Sequence, residues 1–269
     1  MTRPVRLGAV SYLNVRPLVY GLDRHPDRVA LRFDVPSVCA ERLARGEIDL
    51  GMVPSITHVD RPGDRVIPGV CIGSEGPVAS VALFSRVPVA AIRRIALDTS
   101  SRTSAALVRI LCATRFAISP TFVPHAPDLP AMLAVADAAL LIGDPALFAR
   151  AAGLEKIDLG AAWTEMTGLP FVWAFWAGPS APIGPDVVHL LQEAASNGMA
   201  HSDDIADAYC APRLDDQRLA RRYLRENLRF ELDGRALEGL RRFYRDAAAL
   251  GLAPARGPVE FFDAPPRVE

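Results

Sequence analysis

Short apolar runs alternate with segments of helical spacing over the first two thirds of the chain. The pattern predicts strands near 5–10, 30–35, 48–53, 78–84, 94–97, 138–142 and 170–176. Helical patterns fall between several of them, near 15–22, 37–45, 103–114 and 145–152. Strand then helix, repeated, predicts βα units and mostly parallel sheets. Beyond about residue 184 the spacing is helical, from about 187 to 194, 203 to 209, 216 to 227 and 235 to 250, so the tail reads as helical packing around an α/β body.

Two proline-bearing segments, Phe84 to Val89 and Ala177 to Pro182, read as crossovers. If the chain leaves one lobe at the first and returns at the second, residues 87–177 form an inserted lobe. Residues 1–86 with 178–269 then form the other, the C-terminal helices completing it, and ligand binds between the two.

Polar residues gather where four apolar runs end. The first run closes on Ser11 and Asn14, the second on Ser55, the third on Asp98-Thr-Ser-Ser-Arg-Thr-Ser104, and the fourth on Gly143-Asp144. Strand ends form the mouth of an α/β sheet, so four such joints predict a cleft built for one ligand. Ser100, Thr103 and Ser104 stand at the start of a helix, where hydroxyls and unpaired N–H groups suit a carboxylate or phosphate. Simple capping needs only one hydroxyl. Asp144, just before Pro145, suits either a helix cap or a cleft carboxylate acting as general base. Trp163, Trp173 and Trp176, with Phe171 and Phe175, read as core and hinge packing.

Composition removes other classes. Half of the 269 residues are hydrophobic, which excludes disorder, and a prior of roughly 150 residues per domain favours two domains. A net charge of −1 with mixed signs gives no electrostatic reason to expect nucleic acid or an anionic membrane. No cationic, apolar and cleavage-site sequence opens the chain, and no run reaches the roughly 18 apolar residues of a membrane span, so a cytoplasmic protein is expected. Cys39, Cys71, Cys112 and Cys210 lack paired spacing and the five histidines are scattered, so neither disulfide nor metal is expected. Gly73-Ser-Glu-Gly76 does not match a dinucleotide loop, and neither Gly-x-x-x-x-Gly-Lys nor Gly-x-Ser-x-Gly occurs. Lys156, the sole lysine, lies in a polar stretch read as a turn, which disfavours Schiff-base chemistry. No cofactor is expected.

Several motifs in order resemble the chorismate dehydratases. They are Leu7-Gly-Ala-Val-Ser-Tyr-Leu-Asn14-x-x-Pro17-Leu18, Asp49-Leu-Gly, Gly76-Pro-Val-x-Ser80, Thr99-Ser-Ser-Arg-Thr-Ser104, Ala136-Asp-Ala-Ala-x-x-Ile-Gly-Asp144 and Asp158-Leu-Gly-x-x-Trp-x-x-x-Thr-Gly-Leu-Pro-Phe-Val172. The resemblance covers about residues 5–177 and implies a two-lobed α/β fold of the type II periplasmic-binding-protein kind. It also implies cofactor-free loss of water from chorismate, giving 3-(1-carboxyvinyloxy)benzoate in the first step of the futalosine route to menaquinone. A sister enzyme, the 1,4-dihydroxy-6-naphthoate synthase, is marked by Ser-Pro-Cys-Pro-Asn-Asp-Thr where this chain reads Ser11-Tyr-Leu-Asn14. A non-catalytic cytoplasmic binding protein for a small carboxylate would use the same fold.

On this resemblance Asn14 and Asp144 are the expected catalytic residues, and Ser11, Ser55, Ser80, Ser100, Thr103, Ser104 and Gly143 the expected substrate contacts. The Asn14 amide can accept from the C4 hydroxyl or donate to it as it departs; its alternative role is a cap of the next helix. Loss of the C4 hydroxyl and the C3 proton makes an aromatic ring, so the enzyme has mainly to orient and desolvate. The base is either Asp144 or the substrate's own enolpyruvyl carboxylate. A monomer or homodimer is expected, with a small molecule as partner.

Overall fold

The computed structural model describes residues 3–181, 183–255 and 257–263. The chain forms β1 (Val5–Val10), β2 (Val29–Asp34), α1 (Pro36–Ala44), β3 (Leu50–Pro54), β4 (Asp64–Val66), β5 (Ile72–Ser74), β6 (Val81–Ser85) and β7 (Arg94–Asp98). Then come α2 (Thr103–Thr114), β8 (Thr121–His125), α3 (Leu129–Val135), β9 (Ala138–Ile142), α4 (Gly143–Leu147), β10 (Glu155–Asp158), α5 (Leu159–Thr167) and β11 (Phe171–Pro179). The tail is α6 (Pro185–Ala200), α7 (Ser202–Cys210), α8 (Leu214–Arg222), a π turn at Tyr223–Asn227, and α9 (Gly234–Ala249).

Two sheets result. In the first the order is β2-β1-β3-β11-β4, with β5 also on β11; β1 runs parallel to β2 and β3, and β11 is antiparallel to its neighbours. In the second the order is β10-β6-β9-β7-β8, where β7 is parallel to β8 and β9, and β6 is antiparallel to β9 and β10. The expectation of mostly parallel sheets gives way to two mixed ones, because strands that enter from the other sheet arrive in the opposite direction.

The crossovers also move. The chain passes between sheets at 75–80 and 159–170, so β6, expected in the first lobe, belongs to the second sheet, and β11, expected in the inserted lobe, belongs to the first. Pro88 only turns the chain between β6 and β7. The segment from Ala177 begins as the last residues of β11, and its Pro182 lies outside the described residues. Proline marks a turn; it does not mark a change of sheet.

Alternation along β6 sends Leu83 to a core shared with the first sheet, α2 and α9, and sends Ala82 and Phe84 to a smaller cluster with Met132 and Leu141. The expected helix near 15–22 is instead a 3-10 turn at Leu13–Val19 and another at Leu22–Arg24, since Pro17 removes a donor and Gly21 takes a φ of +74°. The helix expected at 145–152 is the shorter α4, and the strand expected from 78 begins at Val81. Lys156 lies on β10, with Nζ donating to the Ala79 carbonyl at 2.9 Å. The four cysteines are buried free thiols. Among the described residues no helix is long and apolar enough to cross a membrane.

The start of β1 is pinned by Asp49, which is 5% exposed and accepts from the Arg3 and Arg6 guanidinium groups and from the Arg6 N–H at 2.9 Å. Burial alone would raise its pKa, but the hydrogen bonds from Arg3 and Arg6 outweigh it and hold the carboxyl well below its usual value. A carboxyl depressed in the folded state adds stability above its unfolded value of 3.8 and loses it as pH falls further. Asp49→Asn should therefore cost about 2 kcal/mol at pH 7. The gap from wild type should narrow at about pH 3. Denaturant melts at both pH values check this; a gap independent of pH would refute the role.

Candidate active site

A cavity opens between the two sheets, a usual place for a small-molecule site. Tyr12, Asn14, Pro54 and Trp173 line it from the first sheet, Ser101 to Ser104 and Gly143 from the second, and Val78 and Ser80 from the crossover. The C-terminal ends of β1, β3, β7 and β9 thus converge as the four polar joints predict.

Asn14 sits on the first turn after β1. No side chain caps that turn, so the amide is not spent as a cap. Its Nδ2 group faces the Tyr223 hydroxyl, which lies 2.7 Å from Ser80 Oγ. Its Oδ1 is buried and has no hydrogen-bond partner among the described residues. Tyr223 is 1% exposed, and burial pushes its phenol well above the usual value, so it serves as a neutral hydroxyl.

Ser80 is placed by strain held elsewhere. Ala79 just before it has a φ of +63°, a costly conformation for a residue with a Cβ. Asp158 restrains that backbone: its carboxylate accepts from Val78 N at 3.0 Å and Ala79 N at 2.7 Å while capping α5 through Ala161 N at 3.0 Å.

Across the cavity, Thr103 Oγ1 lies 3.3 Å from the Ile56 N–H and 3.4 Å from Ser55 Oγ, which itself donates to the Val172 carbonyl at 2.8 Å. Ser101 Oγ caps α2 through Ser104 N at 3.3 Å, and Arg102 reaches toward Glu41 at 3.8 Å. Gly143 has a φ of +60°, and a Cβ there would stand 2.4 Å from the Tyr12 ring, so glycine is the residue that fits. The Tyr12 phenol is hydrogen-bonded with Ser100, whose Oγ and N both lie on Asp98 Oδ1, at 2.6 and 2.8 Å.

The sequence model of a family described as menaquinone biosynthesis matches residues 5–249. The chain belongs to that family. A chorismate dehydratase of Thermus thermophilus is 33% identical to it over 271 residues, covering 93% of this chain and 96% of the relative. A chorismate dehydratase of Campylobacter jejuni is 26% identical over 253 residues, covering 91% and 99%. Among solved structures, a protein of Archaeoglobus fulgidus superposes with a TM-score of 0.74 at 16% identity over 93% of this chain and 99% of its own. The periplasmic aliphatic sulphonate binding protein of Escherichia coli gives 0.65 at 17% identity over 100% and 99%. This member of the menaquinone-biosynthesis family therefore has the periplasmic-binding-protein fold.

Of the residues singled out from sequence, Asn14, Ser80, Thr103, Ser104 and Gly143 line the cavity of this family member. Ser11, Ser55, Ser100 and Asp144 stand behind the wall. Ser55 braces Thr103, Ser100 is bonded to Asp98, and the Ser11 carbonyl lies 3.1 Å from the Tyr209 hydroxyl oxygen. Asp144 accepts from Leu13 N at 3.1 Å and from the Tyr209 hydroxyl. Trp173, read as packing, is part of the wall, with Nε1 donating to Ser74 Oγ at 3.0 Å. Tyr223 has no signal in the sequence, because it comes from the tail; Arg102 and Tyr12 stand inside motifs where their smaller polar neighbours carry the clearer signal.

Proposed function

We propose that this protein removes water from chorismate to give 3-(1-carboxyvinyloxy)benzoate, a cofactor-free hydro-lyase step that opens the futalosine route to menaquinone in the cytoplasm. The observation that carries this reading is the buried Asn14 Oδ1 with no protein partner among the described residues, set in a cavity whose opposite wall suits anions. A buried acceptor without a donor is costly unless a ligand supplies one. The C4 hydroxyl of chorismate is such a donor.

The roles come from the chemistry of the substrate. Its two carboxylates are met by the Arg102 guanidinium, the first turn of α2 with Ser104, and the Ser80 hydroxyl. Asn14 orients the C4 hydroxyl, and its second Nδ2 hydrogen can donate to the oxygen as negative charge develops there. The C3 proton passes to a base and rejoins the departing hydroxide as water, so the ring gains a double bond and no net proton is exchanged. Among the described residues, no carboxylate, imidazole or amine side chain lines the cavity. That supports the enolpyruvyl carboxylate of the substrate as the base, folded over the ring in a water-poor cleft. Asp144, held at both oxygens outside the wall, is then a structural partner of the site.

The two crossovers, 75–80 and 159–170, would act as the hinge between lobes built on the two sheets. The test is incubation of the purified protein with chorismate and a chelator, followed by chromatographic detection of the product. Conversion supports the reading; no product, or activity that returns only with added metal, overturns it.

A further inference from the structure

Asp144 connects parts of the molecule that no backbone joins at that point. It belongs to α4, which comes after β9 of the second sheet. Its Oδ1 accepts from the N–H of Leu13, the residue next to Asn14, at 3.1 Å. Its Oδ2 accepts from the hydroxyl of Tyr209 on α7, a helix packed against the Leu13–Val19 turn of the first sheet. One carboxylate from the second sheet is thus gripped at both oxygens by groups that travel with the first.

The grip is braced from behind. The Arg16 guanidinium stacks 5.3 Å from the Tyr209 ring centre and 4.5 Å from that of Phe33, and it donates to the Ser11 carbonyl at 3.4 Å. Its charge also faces the Asp144 carboxylate, as does that of Arg213. Burial raises the pKa of Asp144, while the Tyr209 and Leu13 hydrogen bonds and the two arginines act to keep it ionised. Both carboxylate oxygens are occupied, which is the arrangement of a fastening and leaves little for proton abstraction.

We propose that Tyr209 is a positioning residue: acting through Asp144, it latches the second sheet onto the Leu13–Asn14 segment and so holds the cavity closed around substrate. The kinetic part of the proposal rests on the dehydratase reading; the closure part does not. A hydrogen bond to a charged group shifts an equilibrium by about tenfold or more. Closure forced by bound substrate makes up for the lost latch at saturation, so the loss appears in KM more than in kcat.

Tyr209→Phe keeps the ring and its stacking on Arg16 and removes only the hydroxyl. It should raise KM for chorismate about tenfold. It should change kcat by less than about threefold and have no further effect in an Asp144→Ala background. Asp144→Asn, whose amide can still accept from Leu13 N–H and donate to the Tyr209 oxygen, should keep at least about a tenth of wild-type kcat. An unchanged KM in Tyr209→Phe, a full second loss on top of Asp144→Ala, or a folded but inactive Asp144→Asn would each overturn the latch. Small-angle scattering of the ligand-free proteins reads closure without any substrate. Asp144→Ala and Tyr209→Phe should have a larger radius of gyration than wild type; equal radii overturn the proposal. If wild type fails to convert chorismate while the variants expand, the dehydratase reading fails and the latch stands.

Discussion

Asn14→Ala should lower turnover of chorismate by about 100- to 1,000-fold, the effect of deleting one preorganised polar group at a reacting centre. The fold should survive. Asn14 caps no helix, its Oδ1 bonds nothing among the described residues, and its partner Tyr223 keeps Ser80 when the amide is gone. The variant gives up one neutral hydrogen bond, about 1 kcal/mol of stability, against several kcal/mol of barrier at the C4 oxygen. Steady-state kinetics beside a thermal melt separate the two roles. Near-normal turnover in a protein that melts several degrees lower would mean the amide is packing only.

A chorismate analogue in which the enolpyruvyl carboxylate is replaced by a neutral amide should bind and turn over about 100- to 10,000-fold more slowly, the usual contribution of a general base. The protein offers no substitute at the wall. Burial raises the phenols of Tyr12 and Tyr223, so neither is an anion at neutral pH, and a guanidinium such as that of Arg102 has no acceptor site. Asp144 lies behind the wall with both oxygens bonded. The paired experiment is the analogue on wild type and chorismate on Asp144→Asn. If the analogue turns over while the folded variant is dead, Asp144 is the base and the substrate-assisted route is wrong.

Strands buried on both faces announce themselves in the sequence, and the edge strands of the second sheet do not. Leu50–Pro54 and Ala138–Ile142 are buried at every position and read as unbroken apolar runs. Thr121–His125 and Glu155–Asp158 are the two edges of the second sheet, exposed or half-exposed along their length; Pro124 interrupts the first, three of the four residues of the second are charged, and neither carries a periodic signal. The short α3 also escapes the pattern, although Asp128 caps it through Ala131 N at 3.0 Å and Pro130 stands in its first turn, because seven residues give too little periodicity to see. The site divides in the same way. Asn14, Thr103 and Gly143 lie at strand-to-helix joints, where local pattern and location coincide. Whether a hydroxyl faces the cavity or its back, as with Ser104 and Ser100, depends on which neighbour it bonds, and only the tertiary arrangement decides that.

The tail that reads as mere packing in the sequence supplies the struts of this site. Tyr209 bonds to Asp144, Tyr223 to Ser80, and Tyr244 to the Ser55 carbonyl at 2.8 Å, while the last strand of the two sheets ends at Pro179. A chain emerging from the ribosome therefore possesses the cavity walls before it possesses the groups that align them. Competence arrives late in synthesis, with the docking of helices that touch no substrate. The same order makes the segment from Tyr209 to Tyr244 a point of failure: losing it would disarm a centre whose lining residues all precede it.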